Sequence, residues 1–154
     1  MRNPIYNCIE LIATILQNDS DVNTITLMES EDSIDFDKKN IYNLVNINII
    51  SANFETKTIG FEITALAQRD EVKTTITNKF LGNDNRLDNF ASIHSILNNL
   101  TKKLRLTRND FDIEFESATE PTIFNKAFTN GLDGMTLDLV LSYPDNDTTV
   151  CDGC

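Results

Sequence analysis

Apolar and polar residues alternate along the central stretch of the chain, from Ile41 to Gln68. The apolar positions of its two halves are Val45, Ile47 and Ile49, and then Ile59, Phe61, Ile63, Ala65 and Ala67. A period of two indicates strands with one buried face and one solvated face. The segment Ser51–Lys57 is the predicted turn, in which Asn53 suits a left-handed backbone conformation. The pattern therefore predicts a long β-hairpin at the centre of the fold.

Two other stretches repeat apolar residues at steps of three and four, which predicts amphipathic helices. The first helix is expected over Pro4–Gln17, with Asn3 as its N-cap and the proline in its first turn. The second is expected to begin at Asp88 or Asn89 and to run to about Leu104. Its apolar stripe consists of Phe90, Ile93, Ile96, Leu97, Leu100 and Leu104.

Further short segments have the composition of strands. They are Thr24–Glu29, Asp110–Glu116, Thr122–Thr129 and Met135–Tyr143, with an interruption at Ser117–Pro121 and a glycine-containing turn at Asn130–Gly134. In the last segment, Met135, Leu137, Leu139 and Leu141 alternate with Thr136, Asp138 and Val140. The resulting order is α, β, β, β, α, β, β, β. It predicts an α+β fold in which an antiparallel, twisted β-sheet carries two helices packed on one face. We expect residues 1–154 to form a single domain, with 144–154 as a flexible C-terminal tail.

Charge and composition exclude several classes of function. The 154 residues carry a net charge of −11, which argues against a basic nucleic-acid interface and against docking to anionic membranes. No apolar run approaches the ~20 residues of a membrane span. The first apolar stretch contains Glu10 and lacks a small-residue cleavage site, so we expect a helix there and no signal peptide. Three cysteines provide no disulfide framework, which favours a reducing compartment.

Candidate chemistry is sparse. The segment Glu29–Asn40 is rich in acids but lacks the glycine of an EF-hand loop, so we interpret it as a solvated loop. His94, the only histidine, lies on the flank of the second apolar stripe with no partner pattern nearby. The CxxC of Cys151–Cys154 stands at the chain end, outside the strand–helix context of redox motifs. We therefore expect no catalytic residue, no metal and no cofactor, although paired carboxylates of an enzyme would leave no sequence signal.

The connection Arg69–Arg86 is long for a compact domain. It is either an extension of the preceding strand or a mobile arm that makes a contact. Phe80 and Leu81 stand alone among polar residues, and they anchor this segment either to a partner or to the core.

The layout as a whole resembles the tail-terminator and tail-completion proteins of bacteriophages, which are head–tail joining proteins of the neck. The resemblance lies in the helix PIYNCIELIATILQ, the central hairpin, the helix DNFASIHSILNNLTKKL and the chain end GLDGMTLDLVLSYPDND. It covers most of the chain and is one of architecture, without a diagnostic motif. The long segment at 69–86 and the cysteines of the tail depart from it.

This resemblance implies a structural virion protein without an active site, assembled in the host cytoplasm. It implies a homo-oligomeric ring, sixfold or twelvefold, between the DNA-filled head with its portal and the tail, in contact with other neck, portal or tail proteins. An exposed strand edge would pair edge to edge around the ring, and an acidic lumen would let the genome pass without sticking. The expected subunit contacts are Asn53, Phe54, Phe80 and Leu81. Changing Phe80 or Leu81 to Asp is expected to leave a folded monomer that does not assemble.

Two other classes of protein remain open. The first is a soluble α+β module that binds a small ligand or a peptide without catalysis. The second is a metal-dependent enzyme, for which metal analysis of the purified protein is the test. A monomer whose size does not change with concentration would favour the binding module over the ring.

Overall fold

The computed structural model describes residues 2–29, 42–68, 86–106, 108–127 and 132–144. Over these ranges the chain forms two helices and six strands. They are α1 (Pro4–Gln17), β1 (Thr24–Leu27), β2 (Leu44–Asn53), β3 (Thr58–Gln68), α2 (Arg86–Leu106), β4 (Glu114–Ala118), β5 (Thr122–Ala127) and β6 (Leu132–Ser142). The predictions made for Phe80 and Leu81, for most of the acidic loop and for the CxxC lie outside the described residues.

The strands form a mixed sheet in the order β1-β2-β3-β6-β4, with β5 also paired to β6. Together with the two helices this gives an α+β fold, as the sequence predicts. Four of the five strand pairs are antiparallel, but β1 and β2 run parallel, with Thr24 opposite Leu44. The expectation of an entirely antiparallel sheet is therefore wrong.

The parallel pair is held in register by asparagine side chains at its start. Asn23 donates from Nδ2 to the carbonyl oxygen of Tyr42 at 2.8 Å, and Asn43 donates from Nδ2 to the carbonyl oxygen of Asp21 at 3.1 Å. A parallel neighbour needs a crossover of a dozen or more residues, and the chain between β1 and β2 is long enough to provide it. The length of the chain between β1 and β2 therefore permits their parallel pairing.

One face of the sheet, which we call the helix face, is made by odd-numbered residues. Val45 and Ile47 of β2 are buried there with every odd position of β3 from Ile59 to Ala67 and of β6 from Met135 to Leu141. Buried residues of both helices belong to the same core cluster, among them Ile12 of α1 and Ile96 of α2. The predicted inward faces of β2, β3 and β6 are thus confirmed. Burial of this apolar surface is the main stabilising contribution to the fold.

The opposite face, which we call the polar face, is made by even-numbered residues of the same strands. Its central positions are Asn46, Asn48, Glu62, Thr64, Thr136 and Asp138. Thr64 and Thr136 lie opposite each other and their hydroxyl oxygens are 2.9 Å apart. At one end a second apolar cluster is buried, in which Tyr42 and Phe124 pack against Leu44, Leu66 and Leu132.

The first helix has the predicted ends. Asn3 accepts a hydrogen bond on Oδ1 from the backbone N–H of Ile5 at 2.8 Å, and Asn18 follows the last turn. The second helix extends about two residues beyond the expected limits at both ends. Asn89, which was expected to be near the cap, is instead buried inside α2. Its Nδ2 donates to the carbonyl oxygen of Gln68 at 3.0 Å and to Oδ2 of Asp133 at 3.3 Å.

The strand expected at Asp110–Glu116 begins later, at Glu114. Asn109 explains the shift, because its Oδ1 accepts from the backbone N–H groups of Phe111 and Ile113 at 3.1 and 3.0 Å. These bonds hold a local turn, in which Asp112 has a φ of 54°. A side chain that accepts hydrogen bonds from nearby backbone N–H groups competes with strand pairing for those groups.

The turn expected at Asn130–Gly134 is wrong for its last three residues, which begin β6. Leu132 pairs with Gln68, and Gly134 pairs with Leu66. The glycine serves close approach here, because a Cβ atom at this position would lie 2.3 Å from Cζ of Phe124.

A single outer edge is shared by β4 and β5. Residues of β4 pair with the far end of β6 and residues of β5 with its beginning, so that the two strands are one interrupted strand. The break falls at 119–121, so it begins two residues later than predicted and ends at Pro121 as predicted. Thr119 bridges it: its N–H donates to the carbonyl oxygen of Asp138 at 2.8 Å, and its Oγ1 accepts from the N–H of Asp138 at 2.9 Å.

Candidate functional site

The tip of the β2–β3 hairpin, which we call the hairpin tip, comprises Asn53 and the turn Phe54–Lys57. Asn53 Oδ1 accepts hydrogen bonds from the N–H groups of Glu55 and Thr56 at 3.0 and 3.1 Å. Lys57, with a φ of 56°, takes the left-handed conformation that was expected for Asn53. The asparagine therefore shapes the turn with its side chain and leaves its own backbone in the strand.

The hairpin tip presents an aromatic ring to solvent. Phe54 is 80% exposed, the highest value among the exposed large hydrophobic side chains of the described residues. Its neighbour Glu55 is also exposed. The turn is fixed at its base, because the carbonyl oxygen of Lys57 accepts from the N–H of Tyr143 at 2.9 Å. An exposed ring on an anchored hairpin is suited to contact with another protein.

A second feature is a cleft of about 220 Å³ between α2 and the interrupted edge of the sheet, which we call the edge cleft. Its apolar lining is Leu97, Met135, Leu137, Ala118 and Pro121, and its polar lining is His94, Asn98, Thr101, Arg105 and Thr119. The cleft lies where α2 faces Thr119 and Pro121, at the break between β4 and β5.

The polar residues that α2 contributes to the edge cleft form one line along the helix. His94, Asn98, Thr101 and Arg105 follow at intervals of four, three and four residues, which places them on one flank of the helix. Thr101 donates from Oγ1 to the carbonyl oxygen of Leu97 at 3.1 Å. The guanidinium carbon of Arg105 lies 4.8 Å from the centroid of the Phe115 ring, and this stacking holds it at the end of the cleft.

The electrostatic character of the edge cleft is opposite to that of the whole chain. Arg105 and His94 are its ionisable groups, and none of its described lining residues is Asp or Glu. The exposed Glu120 lies between two lining residues but does not line the cleft. A cleft with an apolar floor and a cationic end accepts an apolar group accompanied by an anion. It offers no acid–base pair, since His94 has no carboxylate partner among these residues.

Metal-binding and nucleophilic groups are not assembled in the described part of the chain. There, no three side chains of the His, Cys, Asp or Glu type come together in a way that would hold a metal ion. Cys8 is fully buried in the core, and burial raises the pKa of its thiol to about 12. A neutral thiol inside the core is a packing group and not a nucleophile.

The polar face carries an unusual pair of acids. Glu62 of β3 and Asp138 of β6 are directly opposite each other, and both side chains are partly exposed. Like charges at such a position destabilise a sheet. With the neighbouring threonines and asparagines they make the centre of this face polar and anionic.

Of the predicted contact residues, the structure places Asn53 and Phe54 together at the hairpin tip; Phe80 and Leu81 lie outside the described residues. His94 lies at the edge cleft, as an exposed flank residue. Arg105 and Asn98 were not predicted as site residues, although their spacing from His94 along the second helix was a readable signal. Thr119 was not predicted either, because its role depends on strand pairing.

The comparisons with known proteins add no assignment. The sequence matches no protein-family model and no curated protein. Within the described ranges, neither helix is long and apolar enough to span a membrane.

Proposed function

We propose that this protein is a structural subunit of a bacteriophage neck, similar to tail terminators, and that copies of it form a ring between the head with its portal and the tail. The observation that carries the proposal is the anchored hairpin tip with Phe54 80% exposed. A large aromatic group held in water by a fixed turn gains free energy when a partner covers it. The sequence resemblance described above supplies the kind of partner.

One further feature supports the same function. The polar face, with Glu62 opposite Asp138, offers an anionic surface. In the proposed ring this face lines the lumen, where repulsion between carboxylates and phosphates keeps the genome mobile.

The test is the size of the assembled protein. We expect the purified chain, alone or with tail tubes of its phage, to form closed rings of six or twelve copies that electron microscopy resolves. The rings should carry the neck or portal proteins of the same virion in pull-down experiments. Monomers at every concentration, together with no binding to virion components, would contradict the proposal.

A second candidate function is a small module that binds a ligand or a peptide. The edge cleft favours it, because an apolar floor with a few polar groups is typical of ligand sites. Titration of the isotope-labelled protein with short acidic peptides tests it by nuclear magnetic resonance. Saturable shifts confined to α2 and the interrupted edge, in a protein that stays monomeric, would favour this function over the ring.

A further inference from the structure

We infer that the edge cleft of one copy receives the hairpin tip of a second copy, with Phe54 on the apolar floor and Glu55 beside Arg105. This inference rests on the proposed ring and specifies its contact. It joins the most exposed aromatic ring in the described chain to the apolar cleft described above.

The charges of the two surfaces are complementary. The net charge of the chain is −11, so that random contact between copies is repulsive. The edge cleft is an exception, because its described ionisable lining consists of Arg105 and His94. The hairpin tip contains one acid and one base: Glu55 is exposed next to Phe54, whereas Lys57 is half-buried at the base of the turn. The cleft presents Arg105 together with the apolar residues Leu97 and Met135. An aromatic group followed by a carboxylate matches an apolar floor followed by a guanidinium.

The contact must join different copies. Thr58, beside the hairpin tip, pairs with Ser142, whereas the floor of the cleft includes Met135, seven positions earlier on β6. At about 3.3 Å per residue these points are roughly 23 Å apart. In its own copy Phe54 is exposed, so it does not occupy the cleft of the same chain.

Such a contact is heterologous, because each copy uses two different surfaces. Contacts of this kind close into a ring when the rotation between copies allows it, and otherwise continue as a filament. A twofold dimer results only if both contacts form reciprocally between the same two copies. The inferred contact is therefore compatible with the ring proposed above and does not require edge-to-edge strand pairing.

The experiment measures self-association of the full chain by analytical ultracentrifugation. Phe54→Ala and Asn98→Trp should each weaken association roughly thirtyfold or more, the first by removing the ring and the second by filling the cleft. The matched controls are Leu87→Ala, which shortens another exposed side chain, and Lys102→Glu, which reverses an exposed charge on α2 outside the cleft. Both controls should associate as the unchanged protein does.

Charge reversal tests the pairing itself. Glu55→Arg and Arg105→Glu should each weaken association, and the double variant should regain most of the loss. Arg105 also stacks on Phe115, so circular dichroism and thermal unfolding must show that Arg105→Glu is folded. If it is not folded, Asn98→Trp takes its place as the variant with a blocked cleft.

Mixing two variants gives the sharpest result. A copy with Phe54→Ala and Glu55→Arg keeps its cleft, and a copy with Asn98→Trp keeps its hairpin tip. Each alone should be monomeric, and the mixture should stop at dimers of one copy each. Failure to form this dimer, or self-association unaffected by every variant, overturns the inference while leaving a ring built on other surfaces. An unchanged protein that stays monomeric alone but joins virion proteins overturns only the contact between copies.

Discussion

The helix face and the polar face of the sheet are built from alternate residues of the same strands, yet they are stabilised in different ways. The helix face is apolar except for the buried Asp133, and its apolar residues share one core with both helices. The polar face depends on individual pairs, such as the Thr64–Thr136 hydroxyl contact and the approach of Phe124 to Gly134. The helix face therefore provides most of the stability of the sheet, whereas several residues of the polar face can be used for binding or assembly.

The largest effect is expected from the helix face. Phe61 is fully buried between the sheet and the helices, so Phe61→Ala should lower the free energy of unfolding by about 3–5 kcal/mol. Thr64→Ala, three positions later on the polar face, should cost less than about 1.5 kcal/mol, since it removes one hydroxyl contact. Urea unfolding measures both. Similar losses for the two variants would remove the contrast between the faces.

The next effect concerns the one buried acid of the helix face. Asp133 is fully buried and receives a hydrogen bond from Asn89 of α2. Asn89→Ala removes this donor to a buried carboxyl group, and we expect a loss of about 1–3 kcal/mol, the range for removing one partner of a buried polar group. Asn98→Ala, on the exposed flank of the same helix, is the control and should change stability by less than about 0.5 kcal/mol. Equal changes in the free energy of unfolding for the two variants would show that the hydrogen bond from Asn89 to Asp133 does not contribute to stability.

A third prediction separates the two ends of the polar face. Gly134→Ala should cost about 1–3 kcal/mol, because the added Cβ would meet the Phe124 ring at 2.3 Å and the carbonyl oxygen of Ala65 at 2.8 Å. Gly60→Ala, near the hairpin end, would meet Oγ of Ser51, which can rotate away. Thermal unfolding should show the smaller loss at Gly60, and the reverse order would refute this account of the two glycines.

The smallest effect has the opposite sign. Glu62→Gln removes one charge from the pair with Asp138, and we expect a gain of a few tenths of a kcal/mol at low ionic strength. Salt screens exposed charges, so the gain should vanish near 1 M salt. Unfolding curves at both salt concentrations measure it. A loss of stability at low salt would mean that the two carboxylates do not repel each other.

The faces of the sheet were predictable because period-two alternation is a local signal. It identified the buried positions of β2, β3 and β6 from Val45 to Leu141. The direction of β1 relative to β2 was not predictable, because the sequence of a four-residue strand does not indicate whether its neighbour runs parallel or antiparallel. The role of Gly134 was misinterpreted for a similar reason: a glycine that allows Phe124 to approach looks in sequence like a glycine that allows a turn.

The candidate site was predictable only at the hairpin tip. Phe54 stands out in sequence because an aromatic residue in a polar turn has no core to enter. The edge cleft was not predictable, because Thr119 and Met135 meet α2 only through the pairing of β6 with the interrupted strand. The polar line from His94 to Arg105 was visible in the sequence, but its importance depends on what faces it.

The break at Thr119 has a consequence for the behaviour of the protein at high concentration. An uninterrupted outer strand is a template on which further chains add without limit, as in amyloid. Here a hydroxyl group takes the place of a backbone acceptor, and Pro121 follows with no N–H to donate. The edge is therefore a poor template for fibril growth.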